Sequence, residues 1–210
     1  MNIKKLINLY KKESIEAFNS LPVQKIAEFV EMIFEAYENE RTVFACGNGG
    51  NCASVQNLVV DFNMHPFTSD NKGIQNVQRN GFKCVNLCSD QATLTGITND
   101  LGFIYVFSEQ LKYQGSDGDI LIGTSGSGNS KNVLEAFKTA KEKKMKNILF
   151  TRNLINNCNA FADLVISLDI KSEFPGQIGN NNANFYYEDL LSSLTHIAVG
   201  LLKEKVQNVH

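Results

Sequence analysis

The residues best placed to do chemistry lie where an apolar run, Asp119 to Ile122, gives way to Gly123-Thr-Ser-Gly-Ser-Gly-Asn-Ser130. Ser125, Ser127 and Ser130 offer three hydroxyls, and Gly123, Gly126 and Gly128 let backbone approach a ligand with no Cβ in the way. Val133, Leu134, Phe137 and Ala140 then recur at helical spacing. A buried strand, a Ser/Gly loop and a helix whose free N-terminal amides carry the positive end of its dipole form a pattern that suits phosphate. The nucleotide signatures are missing. Asn129-Ser130 follows Gly128 where a P-loop needs lysine, and Lys131 stands where a dinucleotide fingerprint needs its third glycine. The chemistry implied is therefore binding of a phosphate monoester, with a Ser/Gly loop that merely caps a helix as the competing reading.

A second unit repeats the arrangement. Thr42 to Cys46 reads as a short buried strand, Gly47-Asn-Gly-Gly-Asn51 as its loop, and Ala53, Val55, Leu58, Val59 and Phe62 as the helix that follows. Two such units deliver two helix N-termini to one side of a parallel sheet, at the strands' carboxyl ends, where ligands bind in open α/β folds. Further strands are expected at Lys83–Leu87, Asn147–Thr151 and Leu164–Leu168, and short helices from Ser89 or Asp90 through Ile97 and from Phe103 to Leu111. Cys84 and Cys88 would share a strand face as small core residues. A closing helix from Tyr187 to Lys205 carries a wide apolar stripe that includes Leu190, Leu194 and Ala198. Residues 3 to 39 read as two helices broken at Leu21-Pro22, with Ile3, Leu6, Ile7 and Tyr10 on the apolar face of the first, packed on the core or against another subunit. Residues 63–82, including His65-Pro66, and 171–186 read as long connections, and His65 as a surface histidine, with reach into a neighbouring active site as its second reading. Strands alternating with helices argue for an α/β fold, a parallel sheet covered on both faces.

At 210 residues the chain is long enough for one cored domain. Twenty Lys plus Arg against 22 Asp plus Glu give a net charge of −2 without a long basic run, so neither nucleic acid nor an anionic membrane is indicated as partner. No apolar stretch approaches the ~20 residues that span a bilayer. Five cysteines lack zinc-finger spacing, and Met-Asn-Ile-Lys-Lys followed by amphipathic sequence does not read as a secretory signal, which points to reduced thiols in a cytoplasm.

Several ordered motifs together resemble the sugar isomerase (SIS) domain family, in particular its phosphoheptose isomerase branch, also called sedoheptulose-7-phosphate isomerases. They are Ala45-Cys-Gly-Asn-Gly-Gly50, Leu94-Thr-Gly-Ile-Thr-Asn-Asp-Leu-Gly-Phe103, Gly118 to Ile122 leading into Ser125-Gly-Ser-Gly-Asn-Ser130, and His196 in the last helix. The resemblance covers nearly the whole chain as one domain, 1–210. It implies a three-layer, flavodoxin-like sheet of five parallel strands with an N-terminal helical extension, assembled as a homotetramer with active sites at subunit interfaces. It further implies a ketose–aldose isomerase that converts sedoheptulose 7-phosphate to a D-glycero-D-manno-heptose 7-phosphate through an enediol, supplying surface-polysaccharide precursors. A different sugar phosphate on the same scaffold, and a non-catalytic sugar-phosphate sensor, are the alternatives.

Position by position, the resemblance makes Ser125, Ser127 and Ser130 the phosphate hydroxyls, with Gly126 where the family has threonine. Asn48, Gly49, Gly50 and Asn51 would hold the sugar end, and Asp100 is a carboxylate near substrate. The family's metal set of His, Glu, Gln and His reads here as Asn57, Asp61, Glu188 and His196. One imidazole has gone and one carboxylate has appeared, a set less suited to zinc, so a divalent metal held by Asp61, Glu188 and His196 stays open. Asp61, Glu188 and His196 are the catalytic candidates, since carboxylate and imidazole suit proton transfer near neutrality. Which carboxylate is the base also stays open.

Overall fold

The structure, a computed structural model, describes residues 2–68, 81–176 and 183–208. Two helices, α1 (Ile3–Asn19) and α2 (Val23–Glu38), precede β1 (Thr42–Gly47), α3 (Gly50–Met64), β2 (Lys83–Asn86), α4 (Gln91–Asp100), α5 (Ser108–Gln114), β3 (Ile120–Thr124), α6 (Lys131–Glu142), β4 (Lys146–Thr151), β5 (Leu164–Ser167) and α7 (Asn184–Asn208). The five strands form one parallel sheet in the order β2-β1-β3-β4-β5. The order reverses between β1 and β3, so the loops after these two strands border one crevice at the sheet's carboxyl edge.

The central strands are apolar because both their faces are covered. Every residue of β3 is buried, and Phe44 and Ala45 of β1 pair with Leu121 and Ile122. Helices α2, α3 and α7 pack on one face, and α5 and α6 on the other. Phe29 of α2 meets Phe150 of β4 edge to face, with ring centroids 5.2 Å apart. On the α6 side, a Cβ on Gly123 would lie 2.4 Å from a ring carbon of Phe137, so glycine at 123 sets how closely α6 sits on β3.

Five elements differ from the sequence expectation. Helix α4 runs on through Asn99 to Asp100 instead of ending at Ile97. Helix α3 continues to Met64 and into a 3-10 turn over His65–Phe67. There the Asn63 amide bonds the backbone N–H and C=O of Cys84, satisfying the outer edge of β2. The helix expected over Phe103–Leu111 splits into a 3-10 turn at Phe103–Tyr105 and then α5, because Phe103 stays exposed while Val106, Phe107 and Leu111 turn inward. Cys88 lies beyond β2, in a turn, where its thiol donates to the Gly47 carbonyl at 3.3 Å. Helix α7 begins at Asn184, three residues before the expected start. The middles of the two long connections, 69–80 and 177–182, lie outside the described residues.

Helix α1 is held at its middle and C-terminal half, by Tyr10, Glu13 and Ala17 on the face it was expected to bury, and its first turns stay open. Ile3 and Ile7 are exposed, whereas Glu13 and Ala17 are buried. The Glu13 carboxylate accepts hydrogen bonds from the Ser172 hydroxyl, the Glu173 N–H and the Tyr186 hydroxyl at 2.9, 2.9 and 2.7 Å. Tyr10 stacks on Tyr186 at 4.3 Å and its hydroxyl donates to Asp189.

Candidate active site

The Ser/Gly loop joins β3 to α6. Ser125 is buried, and its Oγ lies 3.0 Å from the Ser130 Oγ across the loop. Ser130 occupies the N-cap of α6, yet its side chain makes no capping hydrogen bond. Its hydroxyl is turned into the loop towards Ser125 and does not cap the helix. Gly128 has φ +68, a conformation that favours glycine, and its N–H closes a turn onto the Ser125 carbonyl. Ser127 is more open, its Oγ accepting from the Asn129 N–H. An asparagine-rich segment after β4 lines the outside of the loop: Asn153 donates to the Ser127 carbonyl, and the Asn157 N–H donates to the Asn129 side chain.

Across the crevice, Gly49 caps α3 at φ +58, and glycine there leaves the first amides of α3 without a side-chain cap. Asn48 exchanges two amide hydrogen bonds with Asn132, of 2.9 and 2.8 Å, tying the β1 loop to the start of α6. Asn51 is buried and its Oδ1 has no hydrogen-bond partner among the described residues. The Glu188 carboxylate rests directly on Gly50, where a Cβ would lie 2.3 Å from its Oε2. Asn184 donates to it at 2.5 Å. Burial, the largest influence, raises the Glu188 carboxyl above its ordinary value against the opposing pull of that amide. Asn184 also lies against Gly126, so Glu188 and the Ser loop face one another across a single residue.

Asp61 and His196 come together elsewhere. His196 Nε2 is 3.6 Å from Asp61 Oδ2, Asn57 donates to the same oxygen at 3.2 Å, and His65 Nε2 is 3.3 Å from Oδ1. This cluster lies eleven residues along α3 from Gly50, a helical rise of about 16 Å. The three expected catalytic residues thus divide in two: Glu188 is at the crevice, and Asp61 with His196 is where the far end of α3 meets the middle of α7. Asp100 ends α4, exposed, and accepts from the Asn99 side chain. No hydrogen bond or ion pair joins it to either group among the described residues. The metal set does not fit within one chain, since Glu188 is apart from Asp61 and His196, and no three His, Cys, Asp or Glu side chains are placed to hold an ion among the described residues.

The SIS domain family profile matches residues 10–151, more than half of the chain. The chain belongs to the SIS domain family. Phosphoheptose isomerases of two Helicobacter pylori strains are each 34% identical, one over 137 residues, 65% of either chain, and the other over 147 residues, 70% of this chain and 72% of the relative. The chain thus spans slightly under two thirds of the first relative's length. The solved phosphoheptose isomerase from Neisseria gonorrhoeae superposes with a TM-score of 0.79 at 26% identity, covering 97% of this chain and all of that one. The α/β fold with its five-stranded parallel sheet and N-terminal helices is that of SIS domains.

Three residues of this SIS domain escaped the sequence reading. His65 is exposed, as expected of a surface histidine, but the last turn of α3 brings it back onto Asp61, and its four-residue spacing from Asp61 was the available signal. Asn132 and Asn184 act across elements, and nothing in local sequence marks them.

Proposed function

We propose that the chain is a ketose–aldose isomerase converting sedoheptulose 7-phosphate to D-glycero-D-manno-heptose 7-phosphate. The observation that carries the reading is the Ser125–Ser130 loop, its Ser130 hydroxyl released from capping and paired with Ser125, with Asn184 lying between its Gly126 and a half-buried carboxylate, Glu188. Relatives named phosphoheptose isomerase supply the substrate. In this reading Ser125, Ser127, Ser130 and the α6 amides hold the phosphate. Asn51, with an acceptor to spare, takes a sugar hydroxyl.

Glu188 is the base. It removes a proton from C1 of the ketose while an acid protonates the carbonyl oxygen, giving the enediol. Glu188 then returns the proton to C2 as the acid recovers its own from the C1 hydroxyl. A carboxyl that burial raises above its ordinary value is a stronger base and suits both directions of transfer. The acid is His196, oriented by Asp61 and supplied by a neighbouring copy in a homotetramer. Supporting that assembly, Val60, Met64 and Leu201 are exposed near Asp61 and His196, an apolar surface for a second chain to cover. Sugar phosphates and five unpaired cysteines suit a cytoplasmic enzyme.

A proton NMR time course in D2O with sedoheptulose 7-phosphate tests the proposal. The expected result is aldoheptose phosphate carrying deuterium at C2, at a rate unchanged by EDTA. Binding without turnover would sink it.

A further inference from the structure

We infer that Arg152 is the cation that neutralises the phosphate held by the Ser125–Ser130 loop, an assignment that rests on the sugar-phosphate reading of that loop. A phosphate monoester carries close to two negative charges at neutral pH, while hydroxyls and backbone N–H groups are neutral donors. The loop contains no lysine or arginine of its own, and Lys131, the first residue of α6, is exposed to solvent screening.

Arg152 reaches the loop from the next strand. β4 pairs with β3, and the hydrogen bonds continue past the strand ends: the Ser125 N–H donates to Phe150 and the Arg152 N–H donates to Gly126, both at 3.0 Å. Arg152 is therefore in register with the loop. It is also buried, with 7% exposure, an unusual setting for a guanidinium. Glycine at 126 makes the room, because a Cβ there would lie 3.1 Å from Arg152 Nε and 2.6 Å from Asn184 Oδ1. The absent side chain thus lets the guanidinium and the Asn184 amide lie against the loop backbone. A planar guanidinium donates two parallel hydrogen bonds to phosphate, which a lysine cannot reproduce.

The test uses the full-length enzyme with two probes, sedoheptulose 7-phosphate in the isomerase assay and inorganic phosphate as competitor. With R152M, KM and the phosphate inhibition constant are expected to rise together by at least tenfold while kcat stays within about threefold. R152K is expected to lie between R152M and wild type. G126A, which crowds the guanidinium without removing it, should raise both constants and keeps the inference testable if R152M does not fold. The inference is overturned if R152M or G126A leaves both constants within twofold of wild type while S125A raises them. If wild-type enzyme is insensitive to inorganic phosphate and S125A changes nothing, the phosphate reading of the loop fails and the Arg152 assignment fails with it.

Discussion

Glu188 and Ser130 are two side chains whose surroundings set their work. Glu188 is raised above its ordinary value of 4.5 chiefly by burial, so the fold prefers its protonated form. Its ionisation therefore costs stability, and that cost sets in as pH rises past about 4.5. E188Q is expected to melt above wild type at pH 7 and level with it below pH 4, read by thermal denaturation across pH, while its kcat falls by about 10²-fold or more. Ser130 makes the opposite case. A serine that capped α6 would cost about 0.5–2 kcal/mol on replacement by alanine, but this one makes no such bond. S130A loses no cap, so its stability cost is expected to be only that of the bond to Ser125, about 0.5–1.5 kcal/mol, while substrate affinity falls. A loss of stability with unchanged KM would show the hydroxyl to be structural.

Among the elements, α1 is anchored by one buried carboxylate beside the Tyr10 stack. Burial is the largest influence on Glu13 and would raise it, but the bonds from Glu173, Tyr186, Ser172 and Phe174 outweigh burial and hold it below its ordinary value. A depressed carboxyl contributes stability above its unfolded value that is lost as pH falls through the folded one. E13Q is expected to cost about 1–3 kcal/mol at neutral pH, measured by urea unfolding, with the gap closing in acid. Hydrogen exchange should speed up in residues 172–174 and the first turn of α7, the partners Glu13 holds. At the sheet, G123A forces a methyl into the Phe137 ring and is expected to cost about 1–3 kcal/mol through overpacking.

For the whole molecule, the separation of Glu188 from Asp61 and His196 by roughly a helix length has a direct test. If one chain supplies the base and its neighbour the acid, E188Q and H196N are each inactive alone. Refolding the two variants together is then expected to restore turnover, in particles that light scattering sizes as tetramers. Mixed particles without activity would place both groups in the same chain's crevice or remove His196 from the reaction.

The sequence by itself determined the two strand-loop-helix units, because buried parallel strands are continuous apolar runs and the loops that end them need glycine and hydroxyls wherever backbone must approach an anion. It also marked Ser125, Ser127, Ser130, Asp61, Glu188 and His196, since their residue types and order survive in one dimension. It left the capping reading of Ser130 open, as a hydroxyl's direction depends on the loop around it. Tertiary structure alone decided the rest. Asn132, Asn184 and Arg152 act across strands and helices far apart in sequence, His65 returns to Asp61 only because α3 runs one turn further, and Ile3 and Ile7 stay open while Tyr10, Glu13 and Ala17 further along the same face make the contacts that hold α1. Periodicity records which residues prefer burial. Which partners a buried polar group finds is fixed only when the elements pack.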